Sequence, residues 1–232
     1  MIELRPFDSL GHAQHGWLNA RHHFAFADYY HPQRTHWGAL LVWNDDEIAA
    51  NSGFPLHPHR DMEIITYVRL GAISHQDSLG NQGRTQAGDV QVISAGTGIR
   101  HSEYNLEPTP STLFQIWIRP NQLGQPPSWG SKAFPKETRA GQLTVLASGH
   151  EDDKNALHIN ADARVLAATL LAGQTLEHSL NRSPLAYLVP ASGLIEVNGV
   201  RANARDGLAI SAEGQLRISA LEDSELLLVE LG

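Results

Sequence analysis

The spacing of turn residues constrains this chain more than any other feature. Short runs rich in β-branched, aromatic and aliphatic residues recur, among them "GALLVW" (38–43), "MEIITYV" (62–68), "VQVI" (90–93) and "LFQIWI" (113–118). The second half repeats the style with "LTVLAS", "RVLAATL", "LAYLVP", "LIEVNG", "GLAIS" and "SELLLVE". Gly, Asn and Asp separate these runs at short intervals. "SLGNQG" (78–83) and "EVNGV" (196–200) read as hairpin turns, the second with the Asn–Gly pair suited to a type I′ loop. Many short strands at regular spacing predict an all-β chain of barrels or sandwiches. Helices are scarce; "LNARHHFAFADYY" (18–30) is open between a helix and an irregular arm.

The segment "RPNQLGQPPSWGSKAFPKE" breaks the pattern with four prolines and little periodicity, and reads as a linker. It predicts one β unit over residues 1–125 and another over 140–232. A weak internal echo supports two copies of one architecture. "AGDVQVISAG" (87–96) and "RDGLAISAEG" (205–214) each lead from a glycine turn through a short apolar strand into another turn.

Composition removes several function classes. The chain has 232 residues and no cysteine, so thiolate metal sites, disulfides and cysteine nucleophiles are excluded. Any metal must take nitrogen or oxygen ligands. The formal charge of −8 and the lack of a basic cluster argue against direct nucleic-acid binding. No apolar run is long enough for a membrane span, and the start lacks a signal-peptide layout. A cytoplasmic protein is expected.

Histidine is unevenly placed: ten of the 13 lie before residue 102. In "FPLHPHRDMEIITYV" (54–68), His57 and His59 are two apart and share a face if the chain is extended. Pro55 and Pro58 mark that segment as a strand beginning or an edge. In "AGTGIRHSEYN" (95–105), His101 and Glu103 form a second two-apart pair behind Gly96 and Gly98. Three imidazoles and one carboxylate suit a divalent ion, Fe(II), Mn(II), Ni(II) or Cu(II), with Zn also possible. Glu63 has the parity of His57 and His59 but would lie about 13 Å beyond His59 at roughly 3.3 Å per residue. Glu103 is therefore the expected fourth ligand, and Glu63 an outer group orienting an imidazole. His75 either lines the pocket or faces solvent. No G-x-S-x-G, Walker A or H-E-x-x-H motif is present.

Two glycine-punctuated motifs, "GFPLHPHRDMEIITYVRLG" (53–71) and "GDVQVISAGTGIRHSEYN" (88–105), resemble the cupin superfamily. The segments "HPHRDMEIITYV", "HQDSLGN" and "SAGTGIRHSEYN" resemble the pirin family more closely, within its bacterial YhhW-like branch. The resemblance implies a bicupin: two tandem jelly-roll β-barrels with one metal in the first. His57, His59, His101 and Glu103 match the family's ligand positions. Gly96 departs from the general cupin motif, which commonly has proline there. The second half holds His178 with no histidine after it, so a metal-free barrel is expected.

Family membership further implies a quercetin 2,3-dioxygenase, which opens the central ring of a flavonol with O2 and releases carbon monoxide. His57, His59 and His101 would hold the ion. Glu103 would serve as ligand and, swinging off, as catalytic base. The alternative that the family suggests is a pirin-type metal-binding regulatory module acting through a protein partner, without a flavonol substrate in vivo.

Overall fold

The structure, a computed structural model, describes residues 1–180 and 183–232. Asn181 and Arg182 lie outside the described residues. The chain forms two compact units: Gly11–Phe134 with Leu157–Ala161, and Met1–Leu10 with Pro135–Ala156 and Asp162–Gly232. Both are built almost wholly of antiparallel strands. Among the described residues no helix is long and apolar enough to cross a membrane.

The N-terminal unit packs a seven-stranded sheet on a four-stranded one. The long sheet runs Ser128–Lys132, Val90–Ser94, Glu63–Leu70, Ser111–Ile118, Leu40–Ile48, Leu18–His22, Gly11–Gln14. The short sheet runs Ser52–His59, Ile99–Asn105, Ala72–Asp77, Gln82–Gln86. Strand alternation turns one stripe from each strand inward. Leu18, Ile48, Val68 and Leu113 of the long sheet meet Ile73 of the short one in one apolar cluster, with Phe54 packed against it. Ile64, Ile93, Ala95 and Ile99 form a second.

The C-terminal unit repeats the plan. Its short sheet runs Thr175–Ser179, Gln215–Ala220, Leu194–Val197, Val200–Asn203, the same connectivity as in the first unit. Its long sheet places Gly207–Ser211 beside Leu185–Ser192, then Ser224–Leu231 and Ala163–Leu170. One continuous leucine-rich cluster joins the two sheets. Asn198 and Gly199 both have positive φ, the geometry that the Asn–Gly hairpin required.

The expected division is changed at its edges. Ile2–Arg5 pairs with Gly207–Ser211, so the first ten residues belong to the C-terminal unit. An edge strand leaves a row of backbone groups unpaired, and the N-terminal strand satisfies it. The proline-rich segment is likewise no plain linker: Ser128–Lys132 pairs with Val90–Ser94 and extends the long sheet. Within 18–30, Leu18–His22 is a strand and the remainder is turns rather than helix.

Candidate metal centre

The two histidine pairs arrive on neighbouring strands. Ser52–His59 is the edge of the short sheet and pairs with Ile99–Asn105, with His57 opposite His101. Between His101 and Glu103 the register shifts: Glu103 faces Phe54, so the edge strand carries one extra residue. Such a bulge re-aims side chains. Phe54 and His57 are three apart, and in a regular strand they would point to opposite faces. With the bulge, Phe54 packs on the apolar cluster while His57 and His59 face His101. Gly96 is fixed by sterics: its φ is 44°, and a Cβ there would stand 1.9 Å from the carbonyl oxygen of Gln125.

His57, His59 and His101 offer nitrogens that all lie within 4.8 Å of one another. His57 Nδ1 is 2.7 Å from the carbonyl oxygen of Pro55. As the donor in that pair, Nδ1 leaves the Nε2 lone pair of His57 free. His101 is fully buried, and neither of its ring nitrogens has a hydrogen-bond partner. Leaving a buried polar group bare costs about 1–3 kcal/mol. Burial, reinforced by His57, pushes His59 down to about 4. Burial, then His57, His59 and His75, pushes His101 down to about 2. His59 and His101 are thus neutral at physiological pH, the state in which imidazole is a ligand. Bare, convergent, neutral nitrogens fit a cation.

Glu103 is not one of the three grouped ligands. It is buried between the sheets, and both of its oxygens accept hydrogen bonds: Oε1 from Gln91 Nε2 at 2.5 Å and Thr66 Oγ1 at 3.4 Å, Oε2 from Gln115 Nε2 at 2.9 Å. Burial pushes its pKa up to about 7, against these three hydrogen bonds. Asp46, also inside, is pushed to about 8 by burial, then by Asp45 and Glu103, with Arg69 opposing.

The donors to Glu103 belong to a row across the long sheet. Gln91, Thr66, Gln115, Asn44 and His22 are successive cross-strand partners. Asn44 Oδ1 lies 2.8 Å from His22 Nδ1. In the two central strands this polar layer stands between apolar ones: Thr66 between Ile64 and Val68, and Gln115 between Leu113 and Trp117.

The other expected residues fall differently. Glu63 is opposite in parity to Thr66 and so points away from that row. It accepts hydrogen bonds from Ser94 Oγ at 2.6 Å and Asn160 Nδ2 at 3.3 Å rather than orienting an imidazole. The long-sheet strand begins at Glu63, so the residue lies on a different sheet from His59. His75 is buried, 3.0 Å from Asp77 through Nε2, and its ring centroid is 5.4 Å from that of His101. It therefore belongs to the pocket side of the two readings, not to solvent. Missed altogether were Gln91, Gln115, Asp46, Trp117 and Trp129. The one signal for Asp46 was the charged pair in "LLVWNDDEI", an interruption of an apolar run.

Beside His59 a surface depression of about 320 Å³ is bounded by Pro58, Arg60, Ser78, Ile99 and Arg100. In the C-terminal unit His178 pairs with Glu230, and Leu216 stands opposite it in the next strand. No second cluster of three metal-ligating side chains occurs among the described residues.

Comparison with known proteins covers both units. The pirin family matches residues 3–118, and the quercetinase C-terminal cupin domain matches 145–231. A Pseudomonas aeruginosa protein, provisionally named quercetin 2,3-dioxygenase, is 70% identical over 231 residues, covering 100% of both chains. The quercetin 2,3-dioxygenase of Escherichia coli K12 is 42% identical, covering 100% of this chain and 99% of its own. The E. coli bacterial pirin YhhW in complex with nickel(II) superposes with a TM-score of 0.94 at 40% identity, covering 100% and 99%. Its nickel is a property of that protein; here the histidine cluster is what could hold an ion. Two cupin-type units, a histidine cluster in the first and these full-length similarities lead to one conclusion: the chain is a bicupin that belongs to the pirin family.

Proposed function

We propose that this protein is a metal-dependent dioxygenase that cleaves the heterocyclic ring of quercetin-like flavonols with O2 and releases carbon monoxide. The observation that carries the proposal is the convergence of three imidazoles whose buried member, His101, has two bare nitrogens. His57, His59 and His101 hold the ion, with Fe(II) as the expected metal and Glu103 as the fourth ligand. A bound divalent ion supplies Lewis acidity, which lowers the cost of removing the flavonol 3-hydroxyl proton. Glu103 accepts that proton. In the metal-free site burial raises its carboxyl to about 7, so Glu103 holds a proton more readily than an ordinary carboxylate. The depression beside His59 has the volume of a small-molecule site, about 300–1,000 Å³. A cytoplasmic location is part of the same reading and is checked by cell fractionation.

The test is elemental analysis of untagged protein together with an aerobic quercetin assay on the same sample. About one iron per chain with flavonol loss and carbon monoxide release is the expected result. Stoichiometric metal without turnover would remove the dioxygenase and leave the pirin-type regulatory module. Glu103→Gln should keep some metal and lose most turnover; full activity in that variant would sink the base assignment.

A further inference from the structure

The two glutamines that hold Glu103 are themselves held, in matching fashion. Trp117 Nε1 donates to Gln115 Oε1 at 3.1 Å, and Trp129 Nε1 donates to Gln91 Oε1 at 3.3 Å. An indole N–H is a donor only, so it can meet only the oxygen end of an amide. Each amide is thereby fixed with its NH2 end toward Glu103, one glutamine to each carboxylate oxygen. The two ends of an amide are nearly the same size. Without the indole, Gln115 loses the donor that sets which end of its amide faces the carboxylate, and Gln91 keeps only Thr85 Oγ1, 3.4 Å from its Oε1, a hydroxyl that can donate or accept.

The tryptophans are also anchored at the histidines. Trp117 packs edge-on against His59 with centroids 5.0 Å apart, and Trp129 stacks on His75 at 4.9 Å with planes 6° apart. They come from different strands of the long sheet, Ser111–Ile118 and Ser128–Lys132.

We infer that Trp117 and Trp129, acting through Gln115 and Gln91, are positioning residues that aim the Glu103 carboxylate. The inference rests on the reading of Glu103 as fourth ligand. It also revises the sequence picture of a carboxylate that swings away. With both oxygens held from different strands, Glu103 works from one orientation; Oε1 already accepts from Gln91 and Thr66, so the lone pair that remains available is on Oε2.

The test replaces Trp117 and Trp129, singly and together, by β-(3-benzothienyl)alanine. This keeps the bicyclic shape and puts sulfur in place of N–H, so packing on the imidazoles survives. Two readouts are taken on the full-length protein. NMR follows protection of the Gln91 and Gln115 side-chain amide protons in metal-free protein. Calorimetry follows Ni(II) binding, with Glu103→Gln in parallel. In the double replacement the amide protons should lose protection, and the Ni(II) dissociation constant should rise about 10-fold, the low end for groups that orient metal ligands. Unchanged Ni(II) affinity in the double replacement, beside a weakened Glu103→Gln, overturns the positioning role and leaves the ligand reading intact. Unchanged affinity in Glu103→Gln removes the ligand reading, and with it the role of aiming a ligand. Amide protection then decides whether the tryptophans brace Glu103 at all: loss keeps the brace, and retention ends it.

Discussion

The two units share a plan and differ in one layer. In the N-terminal unit the central row of the long sheet reads Gln91, Thr66, Gln115, Asn44. In the C-terminal unit the corresponding row reads Leu208, Leu188, Leu228, Leu166. The correspondence follows from strand order and from the shared Ile-Ser-Ala of the two echoing segments, 93–95 and 210–212, which sets Gln91 against Leu208. The short sheet differs in the same sense. His101, Glu103 and Asn105 form the inward stripe of one middle strand, and Leu216, Ile218 and Ala220 that of the other. The leucine version shows that the fold needs no polar layer. A polar layer between apolar ones is tolerable only when its members satisfy one another, and Glu103 with its three donors does so. The first unit gives up apolar burial for a placed carboxylate and bare imidazoles; the second keeps the burial and shows no such site among the described residues.

The comparison breaks most violently if a polar group is moved into the leucine row. Leu228→Gln should destabilise the protein by about 3–5 kcal/mol, from lost leucine burial plus an amide with no partner. Urea unfolding checks this; a change under 1 kcal/mol would mean that the second sandwich accommodates a polar layer. The next largest effect is on the metal. His101→Leu should weaken Ni(II) binding by about 100-fold or more, since one of three nitrogens is lost. It should leave stability unchanged or raised, because a bare buried group is removed. Gln115→Leu should cost about 1–3 kcal/mol by stripping a donor from buried Glu103. Pairing it with Glu103→Leu should recover much of that loss, a coupling that a double-mutant cycle reads directly.

Titration supplies a smaller contrast. His59 and His101 have folded pKa values below the ordinary 6.5, so the unfolded chain takes up protons that the native site refuses. Their contribution is fully present above about pH 6.5 and is lost as pH falls toward 4 and below. Glu103 and Asp46 have raised folded values of about 7 and 8, so their contribution is lost as pH rises through that range. In metal-free protein the two trends oppose each other between about pH 4.5 and 6.5. Burial also lowers His22 and His75, so the histidine side outweighs the carboxyl side there: urea midpoints should fall as pH drops from 6.5, and fall also as pH rises from 6.5 to 8. Glu103→Gln should shallow the alkaline decline, and an unaltered slope would contradict the assignment. The smallest effect belongs to His178→Gln, which should leave Ni(II) stoichiometry unchanged and stability within about 1 kcal/mol, the range of partly exposed ion pairs.

The strands were legible wherever alternation and turn chemistry agreed. "GLAIS" is the strand Gly207–Ser211, and "EVNGV" is the hairpin it promised. Edges were harder. Ile2–Arg5 carries no sign in its own residues that its partner lies some two hundred positions away. Ser52–His59 was easier: Pro55 and Pro58 marked it as a strand beginning or an edge, and it is the edge of the short sheet. The histidines were legible because metal-ligand pairs two apart are local patterns. Glu63 was misplaced because parity was counted from His59 through a bend at Asp61, whose φ is positive. Gln91, Gln115, Trp117 and Trp129 look like ordinary strand residues, and their role exists only once four strands are in register.

The sequence by itself determined the all-β character, the two-unit plan and the His57, His59, His101 candidates, because those features rest on local periodicity and on residue chemistry. Tertiary structure decided that the imidazoles converge, that a bulge turns His57 inward beside Phe54, and which groups hold Glu103. The reason is physical: those outcomes depend on cross-strand register, and a shift of one residue would turn each side chain to the opposite face.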